Sequence, residues 1–576
     1  DFEILPTANY YFMFVSTFLL TILGTWVTER IVEPRLGEYK GEKLIETMEV
    51  SPAEKKGLKM AGLSILAFSA LMLFLTVPSN GLLRVDGDLN PFIGNGLVPT
   101  IMLFFLIPGI AFGMAAGTIK SDKDIVHSMG KAMASMGGYL VLGNNWFMMR
   151  YLKEGDIEKA AAYVAWMMKT HKTYGIKCVN PAGVENWGWG ENVNALNQAN
   201  IHFEVTPEEI IKGLTELNEM LGFPMPVHLH ANNLGHPGCW EITRDSLKIP
   251  KAVKARPNTS VEWAETKMKP QRHESVYLTH CQFNAFGGTS WRDFESGVKG
   301  ITDYVNSNDH VVMDSGCVPF GDATVMTGDG PAIHDLYVLT GHKWSNTDVE
   351  CECGSGVLPF TYLKNNPVHS VQWAMGLEVL LYVKDAWKSI MTTDSPNGGP
   401  FIKYPQVIAW LMSSKARQDT FNECHKWAQD RSGLAAETRE MDLNEIAIVT
   451  RANAARTIGM SHSKGTLAVG ADGDVAIYDL DPKALEVSDY ESIVRAFENA
   501  AYTIKDGQVV AQKGEIVAIP EKKTYYTDIA ISADDEKNML NDVKNWFKYY
   551  TIGFNNYPTP DKYLANPTPI KIDAEV

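Results

Sequence analysis

Three long uncharged stretches stand out in the first part of the chain. Residues 4–28, 60–83 and 89–119 contain no Asp, Glu, Lys or Arg. Each is long enough to cross a bilayer, which requires roughly 20 apolar residues. Basic residues crowd the loop 29–59, so the positive-inside rule predicts three membrane helices with this loop in the cytoplasm. The alternative is that the stretches are buried helices of a soluble protein.

From residue 142 the hydrophobic pattern becomes that of a soluble α/β protein. Residues 156–172 alternate as an amphipathic helix. The segment Thr206-Pro-Glu-Glu209 predicts a helix start with Thr206 as N-cap, proline at N1 and Glu209 at N3. Helices then alternate with short apolar strands, which is typical of a parallel α/β sheet or barrel.

Net charge and cysteine content indicate which partners and which cellular compartment suit this chain. A net charge of −16 argues against nucleic acid or an anionic membrane surface as the main partner. Seven scattered cysteines without a CxxC favour a reducing cytoplasm over a disulfide framework. Cys351-Glu-Cys353 could hold a soft metal, although two buried or strand-alternating thiols are the simpler interpretation. The apolar opening has no basic region before it, so we expect a fragment rather than a signal peptide.

Four predicted strands end in side chains that can hold a divalent metal. They are Tyr174–Val179 with Lys177, Met225–Asn233 with His228 and His230, Val276–Cys281 with His280, and Ile390–Asp394 with Asp394. In a (β/α) barrel the carboxyl ends of the strands converge on one face. We therefore expect Lys177, His230, His280 and Asp394 to meet around one ion or two.

These residue types suit zinc, which takes imidazole nitrogens and a carboxylate and leaves a position for water. A carboxylate such as Asp394 can take the proton of that water as it attacks a carbonyl. Lys177 is a poor ligand as a cation, but its carbamate, formed with CO2, is an anionic bridge between two metals.

Each residue also has a purely structural interpretation. His228 and His230 share one strand face, and one of them could simply be a hydrogen-bond partner of the site. Taken alone, His280 would be a core histidine, Asp394 a turn residue before Ser-Pro-Asn-Gly, and Lys177 a surface or salt-bridged lysine. Their ordered placement at strand ends favours the metal site.

Several motifs carry a family resemblance. They are Tyr174-Gly-Ile-Lys-Cys-Val-Asn-Pro-Ala-Gly-Val-Glu-Asn-Trp187, Val227-His-Leu-His-Ala-Asn-Asn-Leu-Gly-His-Pro-Gly238, Leu278-Thr-His-Cys-Gln-Phe283 and Thr392-Thr-Asp-Ser-Pro-Asn-Gly-Gly-Pro-Phe401. They resemble the formyl-transferring component of formylmethanofuran dehydrogenase, of the amidohydrolase superfamily. The resemblance implies an amidohydrolase-type (β/α) barrel over residues 142–440. Over residues 441–576 it implies the remainder of the amidohydrolase region with a small C-terminal β domain.

The resemblance also implies roles. Lys177 would be the carboxylated lysine, His230 and His280 metal ligands, and Asp394 both ligand and general base. Asn232 stands where related enzymes often have an acidic residue, so its role, like that of His228, is open between supporting the metal site and contacting substrate. Family members hold a dinuclear zinc centre that condenses formate with methanofuran or hydrolyses the formamide. Their partners are molybdenum- or tungsten-containing subunits and iron–sulfur subunits.

A second resemblance covers residues 1–141. The run Gly24-Thr-Trp-Val-Thr-Glu-Arg-Ile-Val-Glu-Pro-Arg-Leu-Gly37 and the segments Ile107–Gly113 and Gly117–Asp124 resemble an internal part of the p-aminobenzoyl-glutamate transporter family. This implies transmembrane helices inserted in the cytoplasmic membrane, with residues 142–576 in the cytoplasm.

One required motif is missing. The amidohydrolase pattern needs a His-x-His pair on the first barrel strand, but His228-Leu-His230 is the only such pair in the sequence. Residues 1–141 contain a single histidine, His127. We therefore expect a barrel lacking its first strands and an incomplete dinuclear zinc site. The join near residue 142 has no linker, which favours a chimera made by assembly or cloning over a natural fusion.

The first functional hypothesis is thus a metal-dependent, formyl-transferring amidohydrolase. The alternatives are a membrane transporter fragment with a soluble appendage and a catalytically inactive scaffold protein. Metal analysis distinguishes the enzyme from the scaffold, and membrane fractionation tests the transporter fragment.

Overall fold

A computed structural model describes most of the chain. It covers residues 25–26, 30, 52–78, 80–84, 87–120, 145–187, 190–201, 203–253, 261–262, 274–340, 345–347, 355–521, 523–547, 558–561 and 564–572. Nearly all of the first predicted span, with His127, Cys351 and Cys353, lies outside the described residues. The chain divides into two compact units, Asp1–Met133 and Ala134–Val576.

Two helices are described in the first unit, α1 Pro52–Thr76 and α2 Asn90–Ala116. Within the described residues α1 is the one helix long and apolar enough to cross a membrane, and α2 contains the shorter apolar segment Leu103–Ala116. Large apolar side chains of α1 are exposed, with Leu66 68% and Phe74 72% accessible. Such a surface suits an apolar surrounding better than water.

The second unit alternates helices and strands. Its helices are α3 Asn145–Glu154, α4 Ile157–His171, α5 Gly183–Asn186, α6 Pro207–Leu221, α7 Cys239–Ser246, α8 Val298–Asn306, α9 Gly330–Thr340, α10 Pro367–Tyr382, α11 Tyr404–Met412, α12 Ser414–Glu423, α13 Trp427–Asp430, α14 Leu443–Ala447, α15 Asn453–Thr457, α16 Tyr490–Glu498 and α17 Ala533–Phe547. Its strands are β1 Lys177–Val179, β2 Val227–His230, β3 Val261–Glu262, β4 Val276–Leu278, β5 Phe286–Gly287, β6 Glu295–Ser296, β7 Val311–Asp314, β8 Gly321–Thr327, β9 Ser345–Thr347, β10 Ser355–Tyr362, β11 Ser389–Ile390, β12 Val475–Ile477, β13 Tyr502–Lys505, β14 Gln508–Gln512, β15 Glu515–Ile516, β16 Thr524–Ile529 and β17 Pro567–Ile572.

A five-stranded parallel sheet forms the centre of this unit, in the order β1-β2-β4-β7-β11. The five strands lie side by side in the order in which they occur along the chain. Parallel neighbours need a crossover connection between them, which is usually a helix. Every residue of β7 is buried, which is typical of a strand covered on both faces. Among the described residues, β1 and β11 each have one neighbour in this sheet. The observed arrangement is therefore an α/β sheet, and a closed barrel remains a prediction.

The helix that precedes β2 starts as its sequence predicts. The Thr206 Oγ1 accepts the Glu209 amide at 3.2 Å, and the Glu209 carboxylate accepts the Thr206 amide at 2.8 Å. This reciprocal capping box confirms the predicted start of α6. Its apolar face, including Ile210, Leu214 and Leu217, is buried in the core that also covers β1 and β2.

The same unit contains smaller sheets. The strands β8, β10 and β9 form an antiparallel sheet, β12 to β15 form a four-stranded antiparallel sheet late in the chain, and β16, β17 and β3 form a third. The five cysteines in the described part of the chain are free thiols.

Candidate active site

One cavity brings the predicted residues together. His230 is the last residue of β2, and His280 follows β4 by two residues. Asp394 lies four residues beyond the end of β11, in a loop rather than in the strand that the sequence predicted. Lys177 is the first residue of β1 and pairs in register with His228, so it begins its strand, whereas the sequence predicted it at a strand end. His280 and Asp394 both adopt left-handed backbone angles, φ 36° and φ 47°, a region that only a few per cent of non-glycine residues occupy.

One ring nitrogen of His230 faces one ring nitrogen of His280. His230 Nδ1 lies 3.0 Å from His280 Nε2, and the rings meet edge to face with centroids 4.8 Å apart. Both side chains are about 5% exposed. Burial lowers the pKa of His230 to about 4, against the opposing effect of its bond to Asp329. His230 is therefore neutral at physiological pH, which is the form that binds metal.

The outer nitrogens of both rings have oxygen partners. His230 Nε2 lies 2.9 Å from Asp329 Oδ2. His280 Nδ1 lies 3.1 Å from Thr279 Oγ1 and 3.5 Å from Asp394 Oδ2. Metal-binding histidines are generally oriented in this way by an oxygen on the distal nitrogen.

Asp314 fixes the loop that carries His280. Its Oδ1 accepts the His280 amide at 2.9 Å and the Thr392 hydroxyl at 2.6 Å, and its Oδ2 accepts the Tyr277 hydroxyl at 2.7 Å. Because one buried carboxylate bonds groups that follow β4 and β11, it ties the His280 turn to the segment leading to Asp394.

Asp394 remains an ionised carboxylate. Burial alone would raise its pKa, but His280, the amide of Asn397 and Lys177 outweigh burial and place the pKa below its ordinary value. Asn397 Nδ2 donates to Asp394 Oδ2 at 2.9 Å. A carboxylate held in this way can accept a proton or bind a cation.

Lys177 lines the same cavity as His230, His280 and Asp394. Desolvation lowers the pKa of its amine, although Asp394 and Asp314 act in the opposite direction. A lowered pKa increases the share of neutral amine, which is the nucleophilic form.

His228 and Asn232 flank the site. The His228 ring stacks on Tyr277 with centroids 4.5 Å apart, and its buried Nε2 has no hydrogen-bond partner within the described part of the chain. Burial lowers its pKa well below the ordinary value, and Lys177 and the other two histidines add to the effect. Asn232 is fully buried and donates to Asn180 Oδ1 at 3.0 Å and to the Pro181 carbonyl at 2.8 Å. These bonds tie the end of β2 to the loop after β1.

A cavity of about 230 Å³ opens beside these polar groups. Most of its other walls are apolar and come from the segments after β2 and β4, from the β8–β10 sheet and from α9 and α10. Its apolar lining includes Leu234, Phe283, Phe286, Trp291, Val325, Ala332, Leu336, Leu339, Phe360 and Val368. An apolar pocket with a few convergent polar groups at one end is the usual form of a small-molecule site.

Sequence reasoning missed Asp329 and Asp314. Asp314 is the last residue of β7. The strand-end rule therefore applied to it, but it was not included in the predicted ligand set. Asp329 belongs to the connection between β8 and α9, outside the central sheet, where strand-end reasoning does not reach. Its local signal was the segment Thr327-Gly-Asp-Gly-Pro331, in which an aspartate precedes a helix start.

A second acidic group has a different explanation. Asp472, Asp474 and Asp506 lie close enough to share an ion. However, Lys464 forms ion pairs with Asp472 and Asp474, and Lys505 forms ion pairs with Asp474 and Asp506. The lysines already neutralise these carboxylates, so the group carries no metal assignment.

Comparison with known proteins gives two matches along the chain. A model described as "Amidohydrolase family" matches residues 121–511, and one described as "AbgT putative transporter family" matches residues 1–170. The two matches overlap over residues 121–170.

The longer match has curated relatives. "Protein FwdA" of Methanocaldococcus jannaschii is 48% identical over 436 residues, which are 75% of this chain and 74% of the relative. The first component of the "Formyltransferase/hydrolase complex Fhc" of Methylorubrum extorquens is 30% identical over 74% of this chain and 72% of its own length. The crystal structure of the FhcABCD complex from Methylorubrum extorquens with methylofuran contains a chain with a TM-score of 0.64 and 27% identity, over 76% of this chain and 74% of that one.

The shorter match concerns a transporter. The "p-aminobenzoyl-glutamate transport protein" of Escherichia coli is 37% identical over 138 residues, which are 23% of this chain and 27% of the transporter. This confirms the resemblance of the first part of the chain, over a minor share of that transporter.

Proposed function

The chain belongs to the amidohydrolase family, and we propose that residues 142–576 act as a metal-dependent amidohydrolase on a formamide. The reaction would be hydrolysis of formylmethanofuran to formate and methanofuran, or the reverse condensation. The observation that carries this proposal is the approach of His230 Nδ1 and His280 Nε2 to 3.0 Å in a cavity shared with Lys177 and Asp394.

The choice of substrate rests on the relatives. One is named as a component of a formyltransferase/hydrolase complex, and the solved complex from the same organism contains methylofuran. The apolar walls of the cavity suit the ring of a furan-bearing amine, while the polar end would receive the formyl group.

The residues fit a metal. Two ligands of a tetrahedral zinc ion, each at about 2.0–2.1 Å, stand roughly 3.3 Å apart, close to the observed nitrogen separation. His230 and His280 would hold the ion, with Asp394 and the carbamate of Lys177 as anionic ligands. A divalent ion there would acidify a water molecule and polarise the formyl oxygen. The second ion expected from the family lacks the first-strand His-x-His in this sequence, so we propose a site that is complete for one zinc ion.

The protein's own groups would then handle protons and orientation. In hydrolysis, Asp394 would accept the proton of the water that forms a bond to the formyl carbon. The bond between carbon and the amine nitrogen breaks, and the same proton passes to the leaving amine. His230, whose pKa burial lowers to about 4, stays neutral throughout. Tyr277 and Asp314 hold the His280 turn in place, and the apolar walls keep bulk water from the leaving amine.

The proposed function also implies a fold and a set of partner subunits. We propose that the five parallel strands are the later strands of a (β/α) barrel whose first strands are absent. By analogy with the FhcABCD complex, the source protein would work in a multi-subunit complex. The resemblance to formylmethanofuran dehydrogenase implies molybdenum- or tungsten-containing and iron–sulfur subunits as its partners in the cytoplasm. Residues 1–141 would place this chain at the membrane.

The experiment uses the full chain in detergent, loaded with zinc and supplied with formylmethanofuran. We expect about one zinc ion per chain, and formate release that D394N lowers about 100-fold or more, since general acid–base groups contribute about 10²–10⁴. D322N removes an exposed carboxylate of β8 and should leave the rate unchanged.

Equal formate release by D394N and the unmodified chain would overturn the proposal. A chain without zinc and without formate release would instead be the inactive scaffold. Recovery of all the protein without membranes or detergent would exclude the transporter-fragment alternative.

A further inference from the structure

Asp329 is a buried carboxylate aimed at the metal-binding histidines. Its side chain is 1% exposed. Its Oδ2 lies 2.9 Å from His230 Nε2, and its Oδ1 accepts the Asn180 amide Nδ2 at 3.0 Å. The Asp329 amide donates to Thr327 Oγ1 at 3.0 Å. The carboxylate is therefore fixed from several sides, and it bonds the ring that ends β2 and the loop that follows β1.

The partners of the two rings define which nitrogens are protonated. A carboxylate accepts hydrogen bonds, so His230 Nε2 carries the hydrogen and Nδ1 keeps its lone pair. On His280, Nδ1 lies beside the oxygens of Thr279 and Asp394, and Nε2 lies 3.0 Å from His230 Nδ1. Because His230 Nδ1 keeps its lone pair, it accepts this hydrogen bond from His280 Nε2, and a bound cation would take the place of the shared hydrogen. Both nitrogens thus point at one place, as two ligands of one cation would.

We propose that Asp329 is a positioning residue that holds His230 in the Nε2-protonated tautomer and so creates the metal-binding form of its Nδ1. The inference rests on the proposed function, because it concerns the metal of that site. Asp329 contributes through His230 and does not itself touch the substrate.

A simpler role for Asp329 is that of a helix cap. Its Oδ1 lies 3.4 Å from the Ala332 amide, and its carbonyl accepts the Ile333 amide at 3.1 Å, so it occupies the N-cap position of α9. Serine and asparagine cap helices about as well as aspartate. Substitution by these residues therefore preserves the cap and changes the group offered to His230.

The experiment titrates the full chain in detergent with Co²⁺ and follows the visible absorption of the bound ion, for the unmodified chain, D329N, D329S and the control D322S. Serine is too short to reach His230, so D329S should bind Co²⁺ about 10- to 100-fold more weakly, as loss of such a partner usually causes. Asparagine can still accept the Nε2 hydrogen without charge, so D329N should lie between D329S and the unmodified chain. D322S should bind like the unmodified chain.

The outcomes separate this inference from the proposed function. Equal Co²⁺ affinity of the unmodified chain, D329N and D329S would assign Asp329 to the helix cap alone and overturn the inference, while the metal site would stand. Failure of the unmodified chain to bind Co²⁺ would overturn both. If circular dichroism shows that D329S has lost its fold, D329N decides: weaker binding at unchanged helix content supports the inference, and unchanged binding overturns it.

Discussion

The Lys177 amine lies in an environment that favours its reaction with CO2. Carbamate forms only from a neutral amine, and desolvation lowers the pKa of this one. Once formed, the carbamate is an anion, which the metal and the neighbouring histidines would stabilise. The same lysine as a free ammonium would repel a cation.

CO2 should therefore control metal retention. We expect the zinc-loaded chain to lose metal on dialysis against CO2-free buffer and to recover it when bicarbonate returns, as measured by elemental analysis. K177Q should bind zinc weakly and show no dependence on bicarbonate, whereas K169Q, a change on α4, should behave like the unmodified chain. Metal retention that ignores bicarbonate in the unmodified chain would exclude the carbamate.

The sequence predicted the residues that end parallel strands, since strand order alone collects those ends at one edge. Lys177, His230, His280 and Asp394 were predicted in this way, but in the structure only His230 ends its strand. Lys177 begins β1, and His280 and Asp394 follow β4 and β11. The groups that orient them were not, because Asp329 comes from a connection outside the central sheet and bonds His230 across 99 positions of sequence. Only the folded chain determines which loop covers a strand end.

At the scale of elements, local chemistry sets where strands stop. The predicted strand Ile390–Asp394 ends at Ile390, because the Thr392 hydroxyl bonds Asp314 and Asp394 has φ 47°. After β1, Asn180 has φ 41°, and its amide bonds the His230 carbonyl at 2.9 Å. Hydrophobic periodicity predicts the existence of these strands, but side-chain bonds to the backbone and left-handed residues decide their ends.

The capping box of α6 gives a test at this scale. T206A removes the oxygen that accepts the Glu209 amide, and loss of such a cap costs about 1 kcal/mol. We expect hydrogen exchange of the first-turn amides of α6, measured by mass spectrometry, to accelerate about fivefold. T206S keeps the oxygen and should exchange as the unmodified chain does. Equal exchange in T206A would mean that packing alone fixes the start of this helix.

At the scale of the whole molecule, two sequence patterns follow one another without a spacer. The first consists of uncharged stretches that match a transporter family, and the second of a soluble α/β unit that matches the amidohydrolase family. Their family matches overlap over residues 121–170. A tether between a membrane segment and a soluble enzyme usually needs a polar linker. Under the proposed function, the chain has ligands for one metal ion, whereas the family resemblance implies two.

The origin of this join can be tested on the source DNA, read across codons 125–160 from single unamplified molecules. We expect no molecule to span the join, because the central sheet has no partner for β1 beyond β2 among the described residues and the His-x-His of the first strand is absent from the sequence. The true upstream sequence of the amidohydrolase should then encode that pair, and a chain restored with it should bind about two zinc ions. If every molecule spans the join, the fusion is natural. The protein would then be a membrane-held, one-metal relative of the enzyme, and the formate-release experiment would decide whether it keeps the formyl-transfer activity of its ancestry.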